Sequence, residues 1–107
     1  MHIIARQTLK QYCERCKKQK DYKALKNAVD CWYAEVKKAH WKNSSDIKGS
    51  YASASIISAH RVVFNIKGND YRIVVSIHYL KDIVYIKWIG KHSDYDKINA
   101  KEICYGG

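Results

Sequence analysis

Val63-Phe64-Asn65-Ile66-Lys67-Gly68-Asn69-Asp70-Tyr71-Arg72-Ile73-Val74 is the stretch that decides the fold. β-Branched and aromatic residues alternate with polar ones on both sides of Gly68-Asn69-Asp70, as in an antiparallel hairpin with one buried face. Working outward, the β-rich runs are Arg61–Lys67 and Tyr71–Leu80, and Lys81-Asp82 turns the chain into a third, Ile83–Lys91. Alternation assigns the faces. Val62, Phe64 and Ile66 join Tyr71, Ile73, Val75 and Ile77 on an apolar face. Closing the hairpin around Asn69-Asp70 sets Lys67 opposite Arg72. The same rule on the third run sends Val84, Ile86 and Trp88 to the apolar face, and Tyr85, Lys87 and Lys91 to the other, with Lys91 opposite Arg72. The polar face then holds Arg61, Asn65, Lys67, Arg72, Ser76, His78, Lys87 and Lys91 without an acid. An open basic face of this kind suits phosphate.

Upstream, His2-Ile3-Ile4 is a short strand. Leu9, Tyr12, Cys13 and Cys16 recur at helical spacing, and so do Leu25, Ala28, Val29 and Trp32 after Asp21, a cap residue. These are two helices with lysine-rich outer faces. Residues 40–60 form a polar connection with a short helical turn, and a last helix runs from Ser93, its cap, to about Cys104. The order of strand, two helices, three strands and a short helix defines an α+β domain over residues 1–107, with its helices on one face of a small, mainly antiparallel sheet.

The 107 residues suit one core, and 47% apolar with 28% charged residues argues against disorder. The formal net charge of +10 points to a polyanionic partner. The excess is concentrated early: residues 1–50 carry 12 basic and 5 acidic residues. No apolar run is long enough for a bilayer and the N-terminus lacks a signal-peptide core, so the expectation is a cytoplasmic protein with reduced thiols and no membrane partner. Cys13-Glu14-Arg15-Cys16 places both thiols on one helix face, as core positions do. No second pair follows at zinc-ligand spacing, so neither a metal nor another cofactor is expected.

The strand order brings Lys67, Arg72, Lys91 and His92 to one sheet edge, with Tyr95 on the following helix. Such a set has what metal-free RNA cleavage needs. Cations stabilise charge on the scissile phosphate, and a group titrating near neutrality moves protons. The 2′-hydroxyl of RNA is the nucleophile, and an aromatic ring can stack on a splayed base.

Two segments go beyond generic chemistry. Residues 63–74, quoted above, resemble the FNIKGN-x-YR strand–turn–strand of HigB-type toxins. Val84-Tyr85-Ile86-Lys87-Trp88-Ile89-Gly90-Lys91-His92-Ser93-Asp94-Tyr95-Asp96-Lys97-Ile98 resembles their VYI-x-x-IGTH-x-x-YDKI ending, with Lys91 where the motif has Thr. The opening Met1-His2-Ile3-Ile4 and Ser45-Asp46-Ile47-Lys48 also fit. The resemblance implies the RelE-like toxin fold and metal-independent cleavage of mRNA on the translating ribosome. It also implies inhibition by a HigA-type antitoxin with a helix-turn-helix domain. By position, Arg72 and Lys67 would bind the scissile phosphate, His92 would transfer the proton and Tyr95 would stack on or orient the substrate. Asn65, Lys87, Lys91 and Lys97 would make further RNA contacts. Two other readings share the charge pattern: an RNA-binding translation inhibitor that does not cut, and a DNA-binding regulator using the helical hairpin. The hairpin lacks a tight glycine-containing turn, which ranks the last reading lowest.

Overall fold

A computed structural model describes residues 1–103. The chain runs β1 (His2–Ile4), α1 (Arg6–Arg15), α2 (Tyr22–Lys38), α3 (Ser44–Ser50), β2 (Ser55–Ile56), β3 (Arg61–Ile66), β4 (Tyr71–His78), β5 (Ile83–Lys91) and α4 (His92–Tyr95). The strands form a five-stranded sheet in the order β1-β5-β4-β3-β2. Only β1–β5 is parallel.

The apolar faces expected for β3 and β4 pack against the stripes of α1 and α2. Leu9, Cys13, Leu25, Val29, Trp32 and Val36 meet Val62, Phe64, Ile66, Ile73, Val75 and Ile77 in one core. Phe64 is fully buried beneath Trp32 and Trp41, with ring centroids 5.4 and 5.8 Å away. Both helices therefore owe their stability mainly to one buried face. α3 is fixed locally: the Asn43 side chain accepts from Asp46 N (3.1 Å) and Asp46 Oδ2 accepts from Lys42 N (2.9 Å), closing its first turn.

The β3–β4 turn is longer than expected. Ile66 pairs with Tyr71, leaving a four-residue turn over Lys67–Asp70, so Asn65 rather than Lys67 faces Arg72. Lys67 and Gly68 both take the left-handed conformation, at φ 51° and 66°. Gly68 does so without a Cβ clash, whereas Lys67 carries a local cost of about 1 kcal/mol. The two-residue difference preserves the faces, because side chains alternate with period two.

The β4–β5 register departs more seriously. A β-bulge lies where Val75 pairs with Ile86 but Val74 pairs with Trp88. The extra residue, Lys87, reverses the parity of everything after it. Trp88 therefore leaves the helix-covered core and Ile89 enters it, while Gly90 rather than Lys91 faces Arg72.

The second sheet face is not an open basic surface. Val63, Val74 and Trp88 form a small second core, covered by Tyr95, Ile98, Ala100 and Ile103. Arg61 is drawn into this cover and donates to the carbonyls of Ile103 (2.6 Å) and Ala100 (3.4 Å). The expected terminal helix is a single turn. Lys91, not Ser93, is its N-cap, and turns and irregular chain follow to residue 103. Cys104, the expected end of that helix, lies outside the described residues.

Candidate functional site

Arg72 is the centre of the site. Its Nη1 donates to Asn65 Oδ1, the residue opposite it on β3. Its Nη2 lies 3.0 Å from His92 Nδ1. Its Cζ stands 5.3 Å from the centroid of the Tyr95 ring. Two strands and the one-turn α4 thus converge on a single half-buried guanidinium. A guanidinium has no acceptor, so His92 Nδ1 must accept and the ring proton resides on Nε2. His92 itself is exposed, and its backbone N–H donates to Asp70 O at 3.0 Å, pinning the start of α4 to the β3–β4 turn.

Lys67 lies apart from this cluster. Its ammonium sits 2.8 Å from Asp70 Oδ2 and 3.6 Å from Asp21 Oδ2. The hydrogen bond with Asp70 raises the Lys67 pKa. The group therefore remains a cation, unsuited to removing a proton. Asp21 is the first residue before α2, but its carboxylate does not cap the helix. It accepts from the Tyr71 hydroxyl at 2.8 Å, and that bond, followed by the charge of Lys67, holds its pKa below the usual carboxylate value. Burial, then the bond to Asp21, pushes the Tyr71 phenol upward, so it stays a donor. This network borders an open cleft of about 340 Å³ whose lining includes Asp21, Asp70, Tyr71, Lys91 and His92. His92 is the one residue that belongs to both the cleft and the Arg72 cluster.

Of the eight residues singled out from the sequence, Asn65, Arg72, His92 and Tyr95 come together around one group. Lys91 lines the adjoining cleft, and Lys67 is tied to two of the cleft's acids, Asp21 and Asp70. Lys87, the bulged residue, reaches back along β5 to place Nζ 5.5 Å from the Tyr85 ring centroid. Lys97 is exposed just beyond α4. Sequence reasoning passed over Asp21, Asp70 and Trp88. For Trp88 the sequence offers only the adjacent apolar pair Trp88-Ile89, which departs from alternation but is matched by unbulged pairs such as Val62-Val63 on β3.

Other features lie elsewhere. A hollow of about 480 Å³ between α1 and α2, floored by Leu9, Cys13 and Val29, contains none of the site residues. Cys13 and Cys16 are buried, and Cys31 is exposed. Among the described residues, no three His, Cys, Asp or Glu side chains converge as a metal site requires. No helix among them is long and apolar enough to cross a membrane.

The mixed five-stranded sheet with two helices packed on one face makes an α+β domain, with the guanidinium–imidazole pair where β4 and β5 meet α4. The chain belongs to the HigB toxin family: the model of that family, described as the RelE-like toxic component of a toxin-antitoxin system, matches residues 25–98. The protein is therefore the toxin of such a system, and an antitoxin is its partner. The match begins inside α2 and extends just beyond α4, so it spans every residue of the Arg72 cluster. No curated protein matches the chain.

Proposed function

We propose that this toxin is a metal-independent endoribonuclease that cleaves mRNA, bound to the translating ribosome in the cytoplasm, and that a HigA-type helix-turn-helix antitoxin restrains it. The observation that carries the reading is the Arg72 guanidinium, held between Asn65 and His92 beside an open cleft.

In this reading the guanidinium exchanges its partners for two non-bridging oxygens of the scissile phosphate, which its planar fork matches. Release from Arg72 frees His92 Nδ1 to accept a proton. The 2′-hydroxyl attacks the adjacent phosphorus as its proton passes to the imidazole. The P–O5′ bond breaks, and the 5′-oxygen takes a proton from the imidazolium. The products are a 2′,3′-cyclic phosphate and a 5′-hydroxyl, and the imidazole ends the cycle neutral. Lys91 adds positive charge beside the phosphate, while Lys67 stays with Asp21 and Asp70. Lys87 and Lys97, with the lysines of α1 and α2, contact RNA backbone further away. Tyr95 orients the substrate end of Arg72.

The test is induction of the toxin alone in a bacterium with mapping of mRNA 5′ ends, and Arg72→Ala in parallel. The expected result is growth arrest with new 5′ ends in phase with the reading frame, both lost in Arg72→Ala while the antitoxin still binds. Arrest without new ends would leave an RNA-binding inhibitor that does not cut. Undiminished cleavage by Arg72→Ala would remove Arg72 from the mechanism.

A further inference from the structure

The Arg72 cluster has a support that the proposed chemistry leaves unused. α4 is four residues long, too short to hold a side chain in place by its own hydrogen bonds. Tyr95 nevertheless stands beside Arg72. Behind it lies the Trp88 indole, with ring centroids 6.3 Å apart and the planes inclined at 55°. Trp88 is only 7% exposed and is packed against Val63 and Val74.

Two backbone features bring the indole to this position. The bulge at Lys87 turns Trp88 away from the helices onto the face that carries Arg72. Gly90 then lets the ring lie across the strand: a Cβ there would stand 2.4 Å from two atoms of the six-membered ring of Trp88. Gly90 is also the residue directly opposite Arg72. Its missing side chain therefore opens the space in which indole, phenol and guanidinium lie together. Without the bulge, Trp88 would be among the helices and Ile89 would stand in its place.

We propose that Trp88 is a positioning residue. It fixes Tyr95, and through Tyr95 it holds the Arg72 guanidinium in register with Asn65 and His92. Asn65 and His92 set where the guanidinium nitrogens point, and the Trp88–Tyr95 pair sets how the group is stacked. Trp88 is buried, so its influence on the site passes through Tyr95. Its kinetic consequence rests on the ribonuclease reading, whereas its geometric consequence does not.

The test uses the full chain as Trp88→Leu, Trp88→Phe and Gly90→Ala. Two readouts are taken: nitrogen–proton NMR of the Arg72 side chain, and cleavage kinetics on mRNA-programmed ribosomes. Methyl signals of Val62 and Ile73, which belong to the separate main core, report folding. Trp88→Leu and Gly90→Ala should abolish the restricted rotation of the Arg72 guanidinium. They should lower kcat by about 10- to 100-fold, the cost of misplacing a catalytic group by roughly 1 Å, with KM changed less than about twofold. Trp88→Phe, which keeps an aromatic ring, should recover most of both. An Arg72 signal unchanged in folded Trp88→Leu would overturn the proposal, and so would a kcat loss that Phe does not rescue. Should Trp88→Leu fail to fold, Gly90→Ala decides, because it displaces the ring without emptying the second core. If the wild type cuts no RNA, the ribonuclease reading fails, and the NMR arm still confirms or overturns the positioning.

Discussion

Arg72→Lys separates the charge at position 72 from the geometry that the fold builds around it. The guanidinium bonds Asn65 Oδ1 and His92 Nδ1 together and lies over the Tyr95 ring. Lysine keeps the positive charge but presents one compact ammonium that cannot reach two divergent acceptors or stack as a plane. In the folded protein the loss is modest. Asn65 and Arg72 are half-buried and His92 is exposed, so water replaces much of each bond. One net hydrogen bond at about 1 kcal/mol, discounted for exposure, and a cation–π contact of about 0.5 kcal/mol give a destabilisation near 1 kcal/mol. The effect on cleavage is larger. Removing one preorganised donor from a developing oxyanion costs roughly 100- to 1,000-fold, and the retained charge moves Arg72→Lys to the lower end. An approximately 100-fold fall in kcat/KM, about 2.7 kcal/mol of transition-state stabilisation, is therefore expected. Single-turnover cleavage on programmed ribosomes measures it, with thermal unfolding as the control. Activity within threefold of wild type would refute the argument, since charge alone would then suffice and the fork held by Asn65 and His92 would be irrelevant.

Further expectations concern the scaffold. Phe64→Ala empties a fully buried ring site bounded by Trp32, Trp41 and Tyr51, and should cost about 3–5 kcal/mol in chemical denaturation without moving the site groups directly. The lowered pKa of Asp21 contributes stability that is present above its unfolded value, close to the ordinary 3.8, and is lost as pH falls through the folded value. The stability difference between wild type and Asp21→Asn should thus be constant near neutrality and shrink below about pH 4, as unfolding at a series of pH values would show. Of the three described cysteines, Cys31 is exposed, whereas burial raises the Cys13 thiol pKa and shields Cys16. A thiol reagent should therefore modify Cys31 first in the native protein, followed by peptide mass mapping.

The sequence by itself determined the faces of β3 and β4, the two amphipathic helices and the turn positions, because these follow from local periodicity and turn chemistry. It also singled out Asn65, Arg72, His92 and Tyr95, which lie in two contiguous motifs and which the fold brings together. Two matters were decided only by the tertiary structure. The register beyond Val75 depends on one bulged residue, and a bulge is stabilised by packing on both sides of the sheet rather than by its own residues. Ile89 fills the helix-side core while Trp88 fills the second one, and no local pattern ranks that outcome above simple alternation. The partners of the charged groups were likewise not legible. Lys67 and Arg72 are equally basic in the sequence, yet one is held by Asp21 and Asp70 and the other by Asn65 and His92. Asp21 lies before α2, some fifty residues from Tyr71, and only the packing of α2 against the sheet brings its carboxylate to the turn. Long-range contacts of this kind set which cation is tied to acids and which is held by neutral partners.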